Sequence, residues 1–176
     1  KQKTAYEMLR SLVGSEMCIR DRDKGDVKMA KVLIVYFSRT GNTEKMAQYI
    51  AEGVRFAGSE VELKKVSKVK SEDDLNGYDA YIFGCPTYHR EMTQNFKTFF
   101  FLAEKAALAG KAAGAFGSYT HSGDAPKVIA DTMEFVLKMK MVNLGSFNAL
   151  EGKLQKDDAE IVKACQDYGK AVAETV

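Results

Sequence analysis

The chain has 176 residues, 45% of them hydrophobic, which is enough for one domain with a substantial core. Its charges are mixed and the formal net value is only +2, so no nucleic-acid or membrane partner is implied. Three cysteines, Cys18, Cys85 and Cys165, make neither a disulfide framework nor a metal spacing. No apolar run is long enough to span a bilayer, and no convincing signal peptide is visible. A reducing cytoplasm is the expected compartment.

Residues 1–28 do not read like the rest. They show no sustained hydrophobic period and no strand pattern. Back-translation of residues 12–22 matches the bases of a transposase-based sequencing adapter, so the segment is expected to be translated adapter DNA, disordered or loosely attached. The competing reading is an amphipathic helix over residues 6–17. Residues 24–29 back-translate into a purine-rich ribosome-binding sequence ahead of ATG, which makes Met29 the expected natural start. Seven of the 26 Lys/Arg and five of the 24 Asp/Glu fall within residues 1–28, so the domain over 29–176 carries nineteen of each.

From Met29 the pattern alternates. Residues 31–37 read as a buried strand, and Met46, Ile50 and Val54 recur at helical spacing over 42–56, with an end near Gly58. Residues 60–65 alternate and predict a second strand, at an edge. Residues 66–76 are polar, with a short helical turn at 72–75, and 79–84 is a buried strand. A loop over 85–92 leads to Thr93, which can cap a helix with Phe96, Phe99, Phe100, Ala103 and Ala107 on one face; Gly110 ends it. Residues 111–117 form a strand and 118–123 a loop. Asp124 caps a helix with Pro126 in its first turn and Ile129, Met133, Val136 and Leu137 on its apolar face. Residues 142–149 are the last strand. Asp157 and Asp158 open a final helix with Ile161, Cys165, Tyr168 and Val172 on one side. Alternating strands and helices predict an α/β fold: a five-stranded parallel sheet covered on both faces.

The turn after the first strand carries the chemistry. Ser38, Thr40, Asn42 and Thr43 surround the start of a helix, whose unpaired N–H groups and partial positive charge favour an anion. Gly41 permits a positive φ or a close ligand approach. The turn has neither the lysine of a nucleotide P-loop nor the glycines of a dinucleotide fold. The plainer reading is an ordinary turn capped by Asn42 or Thr43. Ser38-Arg39-Thr40-Gly41-Asn42-Thr43 resembles the phosphate loop of the flavodoxin family, and the resemblance runs from about Met29 to the end of the chain. It implies a flavodoxin-like three-layer sandwich with strand order 2-1-3-4-5 and a crevice at the carboxyl ends of strands one and three. With no long insertion near Gly145–Asn148 in the last strand, the chain resembles the short-chain type.

Two further loops support the resemblance. Pro86, Thr87, Tyr88 and His89 follow the third strand in a Gly-x-Pro-Thr pattern, similar to the flavin loop of flavodiiron proteins. Tyr88 could lie against a flat ring; the competing reading is a surface connection with a solvated Arg90–Glu91 pair. Gly117, Ser118, Tyr119 and Gly123 fall on the flavodiiron third loop, with Thr120 in place of a glycine and His121 in place of a tryptophan. The resemblance implies FMN as cofactor, held without covalent bonds by residues 38–43, 86–89, 118–121 and Gly123. No residue is assigned a catalytic role. His89 and His121 lack the partner spacing of a metal site, and Cys85 reads as a small buried thiol. The implied function is electron transfer between redox partner proteins by a monomer or weak dimer. The alternatives are an FMN-dependent NAD(P)H or quinone reductase using the same site, and a flavin-free scaffold of the same fold. Because residues 86–91 contain no glycine, a peptide turning toward a reduced flavin is expected to force a side-chain residue to positive φ at about 1 kcal/mol or more. Arg90 and protonated His89 would instead favour an anionic flavin.

Overall fold

The computed structural model describes residues 29–176. The reading of residues 1–28 lies outside the described residues. Five strands, β1 (Lys31–Tyr36), β2 (Glu60–Lys65), β3 (Ala80–Gly84), β4 (Ala112–Tyr119) and β5 (Lys140–Leu150), form one parallel sheet in the order β2-β1-β3-β4-β5. The order and the edge position of β2 are as expected. The helices are α1 (Asn42–Phe56), α2 (Gln94–Ala103), α3 (Ala125–Asp131), α4 (Glu151–Gln155) and α5 (Ala159–Ala173).

The period-2 geometry of β1 explains the three layers. Val32 and Ile34 point to one face, with Ile50, Val54, Ile82 and Val172 of α1, β3 and α5. Leu33 and Val35 point to the other, with Phe83, Phe96, Phe100 and Ile129 of β3, α2 and α3 and Met133 just after α3. An unbroken apolar run is what a strand covered on both faces requires. On the first face α1 and α5 approach so closely that a Cβ on Gly53 would lie 1.8 Å from the carbonyl oxygen of Gln166. One on Gly169 would lie 2.0 Å from that of Ile50.

Several expectations are corrected. Gly41 is the N-cap of α1, so neither Asn42 nor Thr43 caps it. Thr93 stands at the N-cap of α2 but makes no side-chain cap bond. Ala107 lies past the end of α2 and is exposed, and Leu108 takes the buried place. After α3 a π-helical turn, Thr132–Val136, rotates the chain, so Val136 is 51% exposed while Met133 and Leu137 stay buried. The short helix α4 was not foreseen. The register slips where Ala113 and Ala115 of β4 meet β5. The hydroxyl of Tyr168 fills that gap: it accepts from the Ala115 N–H at 2.9 Å and donates to the Gly145 carbonyl at 2.7 Å.

Candidate cofactor-binding site

β1, β3 and β4 end at one rim, beside the point where the strand order reverses. The loop after β1 is held open by its own backbone. Gly41 has φ 92 and open space where a Cβ would stand, and its N–H donates to Ser38 Oγ at 3.1 Å. No side chain caps α1, so the N–H groups of its first turn face the loop without a side-chain acceptor. Glu44, in that turn, is drawn away from it by Lys65 at 3.0 Å and by the hydroxyl of Tyr36 at 2.8 Å. Lys65 first, then Tyr36, holds the Glu44 carboxyl below its ordinary value. Burial, reinforced by Glu44, pushes Tyr36 up to about 12.

The side chains of this loop form a directed chain of hydrogen bonds. Asn42 Nδ2 donates to Thr40 Oγ1 at 3.2 Å and to Glu151 Oε2 at 2.9 Å. Ser118 Oγ donates to Glu151 Oε1 at 3.1 Å and lies 2.9 Å from Thr43 Oγ1. A hydroxyl has one hydrogen, so Thr43 donates to Ser118. Ser38 and Thr40 act as acceptors, which leaves their own hydrogens for a ligand.

The second loop is tied to the third. Thr87 N–H donates to the Ser118 carbonyl at 2.9 Å, and Thr87 Oγ1 accepts from the Ala125 N–H at 3.3 Å. Tyr88 and Glu91 pair through both backbone bonds, 3.1 and 3.0 Å, around a two-residue turn. His89 has φ 52 and Arg90 φ 64, the left-handed pair of a type I′ turn usually built from Asn-Gly. The backbone at His89 and Arg90 therefore already stands at positive φ in this fold. The Arg90–Glu91 pair of the competing reading does not form: Arg90 Nε meets Asp124 at 3.1 Å, and Glu91 pairs with Lys97. Asp124 thus stands at the N-cap of α3 without capping it. Arg90, then Ser122, holds its carboxyl below the ordinary range.

These loops enclose a cleft of about 440 Å³ lined by Thr40, Thr87, Tyr88, His89, Thr120 and His121 from the sequence reading. The volume lies in the range of small-molecule sites. Arg90, read from the sequence only as a charge near the flavin, also lines the cleft; Ser122 and Glu151 complete the lining and were missed. Glu151 directly follows β5, and the rule that ligands lie beyond strand carboxyl ends could have found it. Ser38, Gly41, Asn42 and Thr43 form the adjoining loop, and Arg39 is exposed on it. Pro86 is buried beneath the cleft, Ser118 is fully buried below it, and Tyr119 is half-buried at the end of β4. Gly123 packs on Asn148, whose buried Oδ1 has no hydrogen-bond partner among the described residues. Cys85 is buried, which pushes its thiol up to about 12 and suits the structural reading. Another depression, of about 470 Å³ near Lys31, Glu60 and Tyr78, lies at the opposite strand ends. Among the described residues no group of three or more metal-ligating side chains is assembled, and no helix is long and apolar enough to cross a membrane.

A ring of unspent N–H and O–H donors beside a cleft with a tyrosine on its wall fits a flat ring carrying one phosphate. The family model described as Flavodoxin matches residues 34–167. A flavodoxin of Maridesulfovibrio salexigens is 36% identical over 155 residues, spanning 84% of this chain and 100% of its own length. An NAD(P)H dehydrogenase (quinone) of Sinorhizobium fredii is 32% identical over 165 residues, covering 80% of this chain and 81% of its own. Among solved structures, a flavodoxin from the domain Archaea superposes with a TM-score of 0.75 at 29% identity, over 82% of this chain and 97% of that one. The flavodiiron core of Synechocystis shares the fold, with a TM-score of 0.72 at 20% identity over 85% of this chain and 36% of that one. The match along most of the chain, and along the whole of a flavodoxin, places this protein in the flavodoxin family, whose cofactor is FMN and whose work is electron transfer.

Proposed function

We propose that this protein carries electrons between redox partner proteins, with FMN held at the rim of β1, β3 and β4. The observation that carries the reading is the convergence of three loops on one cleft beside a phosphate-type donor ring. Ser38 and Thr40, with the first-turn N–H groups of α1, bind the phosphate. Tyr88 offers its face to the ring system, and Thr87, fixed by Ser118 and Ala125, sets the position of that loop. Thr120, His121 and Gly123 close the cleft from the β4 side. Bound FMN supplies the one- and two-electron chemistry; the chain supplies capture, stacking and charge. Buried free thiols at Cys85 and Cys165 suit a reducing cytoplasm. Every residue named at the site lies within 29–176, so protein made from Met29 should bind FMN as the full chain does.

The 32% identical quinone dehydrogenase supports a second reading, an NAD(P)H:quinone reductase. The carrier reading is favoured because the flavodoxin is matched along 100% of its length and the dehydrogenase along 81%. Steady-state oxidation of NAD(P)H with a soluble quinone separates the two. A carrier gives no turnover above that of free FMN; sustained turnover makes the protein an enzyme.

A further inference from the structure

We infer that Glu151 is an affinity-limiting residue, a built-in anion that reserves the phosphate loop for a phosphate carried on a flavin. The inference rests on the FMN reading of the site. Glu151 opens α4 and reaches across to two other elements. Its Oε2 accepts from Asn42 Nδ2 at 2.9 Å, and its Oε1 accepts from Ser118 Oγ at 3.1 Å. Asn42 is 6% exposed and Ser118 fully buried, so both donors need an acceptor when no ligand is present. The carboxylate provides it. Both hydrogens of the Asn42 amide are thereby engaged inside the protein, on Thr40 and Glu151.

The same carboxylate is a like charge beside the loop. It also lines the cleft and is only half-buried. Its charge reaches the cleft wall: after burial, Glu151 is the next cause that raises the Tyr88 hydroxyl, with Arg39 opposing it. A phosphate dianion entering the donor ring meets a like charge across Asn42, and the half-buried position of Glu151 leaves that charge less screened than one in open water. FMN brings a ring system whose burial offsets the repulsion; a bare phosphate ion brings nothing to offset it. The residue thus discriminates between the two sources of the same anion.

Glutamine isolates the charge. In Glu151→Gln the amide oxygen accepts from Asn42 and the amide nitrogen donates to Ser118 Oγ. Ser118 then donates to Thr43, so Asn42, Ser118 and the Thr43 oxygen keep partners and only the Thr43 hydrogen must turn to a new acceptor. The expected result, in phosphate-free buffer, is an FMN affinity about tenfold higher than wild type in a fluorescence titration, with riboflavin changed less than twofold. Inorganic phosphate at millimolar concentration should raise the melting temperature of the variant apoprotein and leave wild type unmoved. Glu151→Ala, where water replaces the carboxylate, should shift FMN affinity in the same direction. An unchanged or reduced FMN affinity in the glutamine variant overturns the inference, as does a riboflavin affinity that changes in step. Wild-type protein that binds neither flavin would instead overturn the site reading itself.

Discussion

His89 and Arg90 show how a local rule fails at the rim of the cleft. Two side-chain residues occupy the left-handed places of a type I′ turn, where glycine or asparagine is usual. The surroundings hold them there: the Tyr88–Glu91 backbone pair, the Arg90–Asp124 ion pair and the Glu91–Lys97 pair. Left-handed backbone costs a residue with a Cβ about 1–2 kcal/mol, against roughly 0.5–1 kcal/mol of extra chain entropy for glycine. His89→Gly is therefore expected to stabilise the apoprotein by roughly 0.5–1 kcal/mol in urea unfolding. A loss of stability would mean that the turn is not strained. The sequence shows that this loop lacks glycine, but not that the backbone already stands at positive φ, because neighbouring elements impose it. Likewise Ser38 and Thr40 were legible as donors from residue types alone, whereas Asn42 and Thr43, read as donors too, spend their hydrogens inside the protein. Glu151 was not legible, since its 109-residue separation from Asn42 hides the contact.

The strands and long helices were legible because each carries one clear period. The bounds of α1 and β2 follow directly from spacing, and the buried faces of α2 and α5 are as read, apart from Ala107. The short α4 and the π-helical turn were hidden, because five residues carry too little pattern to announce themselves. Tyr168 was read as one more apolar residue of α5, yet its hydroxyl satisfies the bulge between β4 and β5. The α1–α5 crossing depends on backbone contact, which hydropathy does not encode. A methyl group at Gly169 must displace the Ile50 carbonyl, backbone that cannot move cheaply. Gly169→Ala is expected to destabilise the fold by about 3 kcal/mol, as overpacking of a tight contact does. An unfolding midpoint within error of wild type would contradict so close a crossing.

Across the molecule, stability is tied to ionised carboxylates. Glu44, Glu62, Asp74, Glu91, Asp124 and Asp157 all titrate below their ordinary values, through partners such as Lys65, Tyr78, Lys97, Arg90 and Lys45. A group with a lowered folded pKa contributes stability above its unfolded value, near 4 for these side chains, and loses it as pH falls through the folded one. The urea midpoint should hold from pH 7 to about 5 and fall steadily below about 4. A midpoint that stays flat to pH 3 would show these pairs to be energetically idle. These pairs lie at the surface, so the fold does not depend on any single one of them.

The central claim is that the β1 loop exists to hold one terminal phosphate and the neighbouring cleft to hold the ring that carries it. The direct measurement is a fluorescence titration of the apoprotein with FMN and, separately, with riboflavin, which differ only in that phosphate. Riboflavin leaves the first-turn N–H groups and the Ser38 and Thr40 hydroxyls to water instead of an anion, and each hydrogen bond to a charged group is worth about 1.5–3 kcal/mol. FMN is predicted to bind at least a hundredfold more tightly, consistent with two such bonds. Equal affinities for the two flavins would contradict the account, because the loop would then contribute nothing to holding the cofactor.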